Sequence, residues 1–349
     1  MDQKQLEAWL DETLLRHNRL TEVVTALMQS LLKSRGIDHL AVTGRTKDRP
    51  KVLEKIIRKG YKDPSSQLTD LTGVRIIVFF ESQVDQVSDL IGEAFNVDRK
   101  NSSNRDSVLS VDQTGYRSVH YVCDLGATRA ELPEFVGLSD LKFEFQVRTL
   151  LQHAWAELAH DRNYKFSGKL PREMERQLYL YAGMLEIADK GFDKLASDID
   201  EYAASVLKKT ESGNYDSPID SISLRQFVEK WARDSGADLA AAPDGGVGLG
   251  EVVRELSQFG IEDLAALKAI IPFDFAERLK DSGEPTNVYG AVRDWMLIKD
   301  WRRFADKVDY DWVVEPFDNT ALMGYIPSEE RDEFLSRFDM HYDPEDDTP

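Results

Sequence analysis

Cysteine is nearly absent: the 349-residue chain has one, Cys123. A lone thiol closes no internal disulfide, which excludes a disulfide-stapled secreted scaffold. Its place in the apolar stretch RSVHYVCDL reads as that of a small core residue. Long apolar runs are missing as well, and none approaches the roughly 20 residues of a membrane-spanning helix. The opening MDQKQLEAWLDETLLRH is acidic and amphipathic, without the basic-then-apolar layout of a signal peptide. A cytoplasmic protein with no membrane partner is the expectation. There is no internal repeat. Cations are scarce toward the C-terminus: residues 211–349 hold 14 Lys and Arg against 31 Asp and Glu, whereas residues 1–210 hold 30 against 32. Nearly all of the net charge of −19 therefore belongs to the C-terminal part.

What is present fits an ordinary soluble chain of about two domains, with 42% hydrophobic residues to build cores. Apolar residues near helical spacing (Leu6, Leu10, Leu14, Leu15, Val24, Leu27, Leu31) predict a helix over 3–34. HLAVTG predicts a strand, and Val52, Leu53, Ile56 and Ile57 a second helix. LTGVRIIVFF is a nearly unbroken apolar run, the pattern of a central strand covered on both faces. Residues 82–95 read as helix, RSVHYVCDL and KFEFQVRT as strands, TLLQHAWAELAHDRNYK as helix, and 172–208 as a long charged helix. The order predicts an α+β domain over residues 1–206, its mixed sheet flanked by helices. Residues 207–223 have linker composition, and 224–349 read as a smaller, mainly helical acidic domain.

Within the near-neutral N-terminal part the cations cluster. Arg45, Lys47, Arg49, Lys51, Lys55, Arg58, Lys59 and Lys62 face only Asp48 and Glu54. Such density fits a polyanion site, and equally a solvated helix face. Gly44-Arg45-Thr46-Lys47 ends a strand and opens the basic helix, where backbone amides and cations together favour phosphate. Asp70, in TDLTGVR, enters a strand rather than a helix, which weakens an N-capping role. A carboxylate beside cations suits Mg²⁺, which takes one or two carboxylates and completes its shell with phosphate and water. In TGYRSVHY, Gly115 permits a tight turn, and Tyr116, Ser118 and His120 share one strand face. In KFEFQVRT, Phe143, Phe145 and Val147 point one way and Lys142, Glu144, Gln146 and Arg148 the other. The wet face of an antiparallel sheet would show the same alternation. His153, Glu157 and His160 have spacings for one helix face, but without HExxH they read as packing or support for the site strand rather than a zinc centre.

Taken in order, GRTKDRPKVLEKIIRKG, TDLTGVRIIVFF, TGYRSVHY and FEFQVRTLLQHAWAELAHDRNYK resemble the synthetase domain of the RelA/SpoT family of nucleotide pyrophosphokinases, over about residues 20–205. The resemblance implies a nucleotidyltransferase-like fold and transfer of the β,γ-pyrophosphate of ATP to the 3′-hydroxyl of a guanosine nucleotide (GDP or GTP), giving (p)ppGpp and AMP. It implies that Arg45 and Arg75 sandwich adenine and that Lys47 and Lys55 hold the ATP phosphates. Asp70 and Glu144 bind Mg²⁺, with Glu144 also taking the proton of the attacking hydroxyl. Tyr116 stacks on the acceptor base, and His120, Gln146, Arg148 and His153 fall on the acceptor side. Residues 1–43 leave no room for the hydrolase domain of long family members, so synthesis without degradation is expected.

Toxin-like relatives offer a second reading, in which the acceptor is the 3′ CCA end of tRNA or an adenosine nucleotide. The acidic C-terminal domain would then restrain the catalyst, as a fused antitoxin or a sensor for a protein trigger, in defence against phage. Aiding solubility or oligomerisation is the simpler role for such a domain. A catalytically inactive nucleotide- or RNA-binding protein is the third reading, and the presence of both Asp70 and Glu144 argues against it.

Overall fold

The buried stripe of α1 (Gln3–Ser34) runs through Leu10, Thr13, His17, Leu20, Thr21, Val24, Met28 and Leu32. It is offset from the sequence expectation: Leu15 is exposed, Leu27 and Leu31 pack only partly, and three polar residues lie within the stripe. The computed structural model describes residues 3–104, 118–165, 171–241, 248–283, 285–310, 312 and 321–338. The chain divides into two units, Met1–Ser197 and Asp198–Pro349.

In the first unit α1 is followed by β1 (Ala41–Thr46), α2 (Arg49–Lys59), the short α3 (Pro64–Gln67), β2 (Thr72–Val78) and α4 (Glu81–Ala94). Then come β3 (Asn96–Val97), β4 (Ser103–Asn104), β5 (Val119–Asp124), α5 (Gly126–Ala130), β6 (Phe143–Thr149), α6 (Leu150–Lys165) and α7 (Arg172–Glu211), whose residues from Asp198 on fall in the second unit. The α+β class expected from the element order is the one observed. The strands form one mixed sheet in the order β1-β2-β6-β5-β3, with β4 also pairing with β5. β2 and β6 are parallel, whereas β1–β2 and β5–β6 are antiparallel.

One sheet face is the core. Val42, Val74, Ile76, Val78, Phe143, Phe145, Val147, Val119 and Cys123 pack with the apolar side chains of α1 and α4. Period-two alternation on each strand sends the intervening residues to the opposite face. That face is not covered along the whole of β2: Gly73 and Arg75 are only half-buried, and closure begins at Ile77. The expectation of a strand covered on both faces therefore holds only for its C-terminal half, and the open half is where polar groups gather.

Two local features set the position of the basic segment. The start of α1 packs on α2 through Leu10, Val52, Leu68 and Leu71, with Trp9 and Ile56 alongside. Farther along, α1 crosses β1 so closely that a Cβ on Gly44 would lie 2.7 Å from Thr21 Cγ2 and 3.3 Å from the Thr21 carbonyl oxygen. Gly44 is thus needed for space, since its backbone does not adopt the left-handed conformation.

The second unit is helical: α8 (Ser221–Ser235), α9 (Leu249–Phe259), α10 (Leu264–Ile270), α11 (Phe275–Ser282), α12 (Val288–Lys307) and α13 (Arg331–Phe338). The mainly helical character expected of residues 224–349 is observed, with α10, α11 and α13 only seven or eight residues long. Trp295, Phe275, Phe304, Phe334 and Phe338 lie at the centre of its own apolar core. The carboxylate of Glu255, 1% exposed, is held there by two hydrogen bonds from Arg293 (2.8 and 2.6 Å) and one from Trp312 Nε1 (3.0 Å). α7 continues through Glu211, so the first residues of the segment with linker composition are helical.

Candidate active site

Strand register builds the open face row by row. Thr43, Arg75, Gln146 and His120 are successive partners across β1, β2, β6 and β5; one row over lie Arg45, Gly73, Glu144 and Val122. Registered residues project to the same side, so Arg45, Arg75, Glu144, Gln146 and His120 share the face away from the core. Arg45 is exposed at the edge strand.

At the end of the β1–β2 ladder the Lys47 amide donates to the Leu71 carbonyl at 2.8 Å. This contact sets the start of the basic segment against Asp70. Lys47 and Lys55 both bring their ammonium groups to Asp70 Oδ2, Lys55 at 2.6 Å. All three side chains are 19% exposed. Burial pushes the Asp70 carboxyl up, but hydrogen bonds from the two lysines outweigh it and leave the group below its ordinary value. Burial dominates at Lys47 and holds its ammonium below the ordinary lysine value, although Asp70 pulls the other way. Lys51, by contrast, turns outward to Asp48 at 2.9 Å.

The second cluster lies on β5 and β6. Glu144 Oε1 meets His120 Nδ1 and accepts from Gln146 Nε2 at 3.1 Å. Gln146 Oε1 in turn accepts from Arg148 at 2.9 Å, and His120 Nε2 lies 2.6 Å from Ser118 Oγ. Burial raises the Glu144 carboxyl, but the His120 contact more than reverses this and keeps it below its ordinary value. The charge of Asp70 acts on Glu144 in the raising direction, so the two carboxylates feel each other. Arg148 is 3% exposed, far more buried than a solvated strand face would leave it.

Arg75 pairs with Glu157 of α6 at 2.9 Å. His153 Nδ1 lies 3.7 Å from the same carboxylate, and burial, followed by Arg75 and Arg148, holds its imidazole below the ordinary value. Among the described residues no group of three or more His, Cys, Asp or Glu side chains is placed to hold a metal, and no helix is long and apolar enough to cross a membrane. Tyr116 lies outside the described residues.

The structure therefore brings Lys47, Lys55 and Asp70 together, and separately Glu144, Gln146, His120 and Arg148. Arg75 and His153 meet at Glu157. Sequence reading missed Glu157 as the partner of Arg75, because the two are far apart in the chain. It also left Ser118 without a role, although its alternation with His120 was the available signal.

An α+β unit that sets two lysines on one carboxylate, and a second carboxylate on the open face of its mixed sheet, suits an anionic ligand. The comparisons narrow this. Residues 44–169 match the family model described as "Region found in RelA / SpoT proteins". Over 171 residues, 48% of this chain and 77% of the relative, the sequence is 28% identical to GTP pyrophosphokinase YjbM of Bacillus subtilis. Over 160 residues, 45% of this chain and 73% of the relative, it is 26% identical to GTP pyrophosphokinase YwaC of the same organism. Small alarmone synthetase 1 from B. subtilis superposes with a TM-score of 0.47 at 23% identity, covering 56% of this chain and 99% of that one. Residues 44–169 thus carry a region similar to that of RelA/SpoT proteins.

Proposed function

We propose that the first unit is an ATP-dependent nucleotide pyrophosphokinase that acts on a guanosine nucleotide, GDP or GTP. The observation that carries this reading is the convergence of Lys47 and Lys55 on Asp70, beside Glu144, inside the segment that matches the family. The acceptor 3′-oxygen attacks the β-phosphorus of ATP and the bond from that phosphorus to the α,β-bridging oxygen breaks. AMP leaves, and the acceptor's proton goes to Glu144. Pyrophosphoryl transfer asks mainly for alignment and for charge set against the phosphates. Lys47 and Lys55 supply that charge, Arg45 and Arg75 take the adenine, and Tyr116 receives the acceptor base. Held ionised by His120, Glu144 is a weak base, so its efficiency rests on alignment, which Gln146 and Arg148 provide from its own strand.

The donor set fits Mg²⁺. Among the described residues Asp70 Oδ1, which is buried, has no hydrogen-bond partner, and its Oδ2 already attracts two cations. Asp70 and Glu144 would hold the ion, which supplies positive charge to the transferring phosphates. Lys47 and Lys55 would exchange their carboxylate partner for phosphate when MgATP binds.

The charge asymmetry supports a second element of the proposal: the acidic C-terminal unit restrains the synthetase by competing with anionic substrate for its cations. Deleting residues 224–349 should raise activity; unchanged activity removes this element. The deciding experiment for the whole reading is incubation with ATP labelled in its terminal phosphate and GDP, GTP, ATP or tRNA as acceptor. Label in GDP or GTP supports the proposal. Label in tRNA, with a rate that falls steeply with salt, or label in an adenosine nucleotide, supports the toxin-like acceptor instead. No transfer to any acceptor overturns the enzyme reading.

A further inference from the structure

Behind the Lys47–Asp70 pair, on the covered face of the sheet, lies a knot of buried polar side chains. His17 is 3% exposed, Thr21 8% and Thr72 0%. His17 Nδ1 lies 2.9 Å from Thr72 Oγ1, and Thr72 Oγ1 donates to the His17 carbonyl at 3.1 Å. Thr21 Oγ1 donates to that same carbonyl at 2.8 Å and lies 2.8 Å from Thr46 Oγ1 and 3.0 Å from Thr72 Oγ1. A hydroxyl has one proton to give. With the Thr72 proton on the His17 carbonyl, Thr72 accepts from His17 only if the imidazole carries its proton on Nδ1. The contacts form a closed set that fixes one arrangement of three elements.

Apolar residues at these positions would continue the stripe of Leu20, Val24 and Met28 at less cost, because each buried hydroxyl must be fully paired to be tolerated. What the polar set adds is position. Thr46 and Thr72 are partners in the terminal pair of the β1–β2 ladder. The residue after Thr46 is Lys47, whose amide bonds to Leu71, and Asp70 comes just before Leu71. The knot therefore grips the two backbones at the point where they leave the sheet to present the ion pair.

We infer that His17, Thr21 and Thr72 are positioning residues for Lys47 and Asp70, acting through Thr46 from the opposite face of the sheet. As a statement about catalysis this rests on the proposed pyrophosphokinase reading. The hydroxyl of Thr72 is the element to remove, and Thr72→Val does so at nearly constant shape.

The test uses the full chain as wild type, Thr72→Val and Thr72→Ser, with Asp70→Asn as a reference for a freed lysine. Two readouts run in parallel: the labelling rate of Lys47 by a small amine-reactive reagent, followed by mass spectrometry without nucleotide, and kcat with KM for ATP and acceptor. Thr72→Val should label Lys47 several-fold faster than wild type, toward the Asp70→Asn rate, and lower kcat at least tenfold with acceptor KM unchanged. Thr72→Ser should return both within about twofold of wild type. Unchanged Lys47 labelling in Thr72→Val overturns the inference whatever the activity. Equal losses in Thr72→Val and Thr72→Ser, accompanied by a lowered melting temperature, also overturn it, because they indicate stability alone. A wild type that transfers nothing refutes the pyrophosphokinase reading, and the labelling arm still decides the positioning role.

Discussion

Replacing Gly44 by alanine sets two physical effects against each other, and the structure says which wins. Gly44 has no left-handed backbone requirement, so alanine fits its dihedral angles. On backbone grounds alone the substitution should stabilise by roughly 0.4–1 kcal/mol through a less flexible unfolded chain. The added Cβ, however, would sit 2.7 Å from Thr21 Cγ2 and 3.3 Å from the Thr21 carbonyl oxygen, and closer still to Thr25 Oγ1. Thr25 can turn away only by giving up its 2.6 Å hydrogen bond to the Thr21 carbonyl, a net loss of about 1 kcal/mol. Thr21 has no such freedom, being held by its hydrogen bonds with the His17 carbonyl and Thr46, so α1 must move off β1 at an overpacking cost of about 1–3 kcal/mol. The balance is destabilisation by about 1–3 kcal/mol. For a unit of this size that lowers the melting temperature by roughly 2–12 °C. Differential scanning calorimetry of the full chain reads it as a shift of one transition, with that of the helical unit unmoved. A Gly44→Ala protein that melts at or above the wild-type temperature would refute the close-approach argument.

Other expectations follow from individual groups. Glu144→Gln retains the oxygen that accepts from Gln146, so folding and binding of a non-hydrolysable ATP analogue should persist while transfer falls by about 10²–10⁴; retention of more than a tenth of kcat would remove Glu144 as base. Burial, with a smaller contribution from Arg16, pulls the His17 imidazole down to about 4, so the unfolded chain takes up its proton first. Its contribution is intact above the free value near 6.5 and is lost as pH falls toward 4, about 3 kcal/mol in all. Its ring resonances should accordingly stay those of a neutral imidazole at pH 5.5. Arg293→Met strands the buried Glu255 carboxylate and should destabilise the helical unit by roughly 3–5 kcal/mol; paired with Glu255→Met, much of the loss should return.

Local periodicity made the elements legible. The alternation in KFEFQVRT placed Phe143, Phe145 and Val147 in the core and Glu144 on the other face, as found. The same alternation did not reveal that Arg148 is buried, because period-two patterning says which side a residue takes and not what covers that side. Nor could it pair Arg75 with Glu157, which needs α6 to lie across β2. His17, Thr21 and Thr72 escaped notice because each is an unremarkable polar residue in its own segment and becomes part of a set only when α1 crosses the sheet. The two-residue strands β3 and β4 are too short for any period. At the candidate site, Lys47, Lys55 and Asp70 were found through the order of motifs, and their convergence on one oxygen came from the fold.

The parallel pairing of β2 with β6 has a consequence for the order of assembly. β1 and β2 are near neighbours in sequence, so Lys47 and Asp70 meet by closing a short loop, whereas Glu144 arrives only when residues 143–149 return to pair with 72–78. Distant contacts are the slower ones to form, and synthesis delivers the N-terminal residues first. A growing chain thus completes the lysine–carboxylate grip before it gains Glu144, the proposed base. On the proposed function, a chain whose β6 has not docked would be equipped to hold a polyphosphate and not to transfer it.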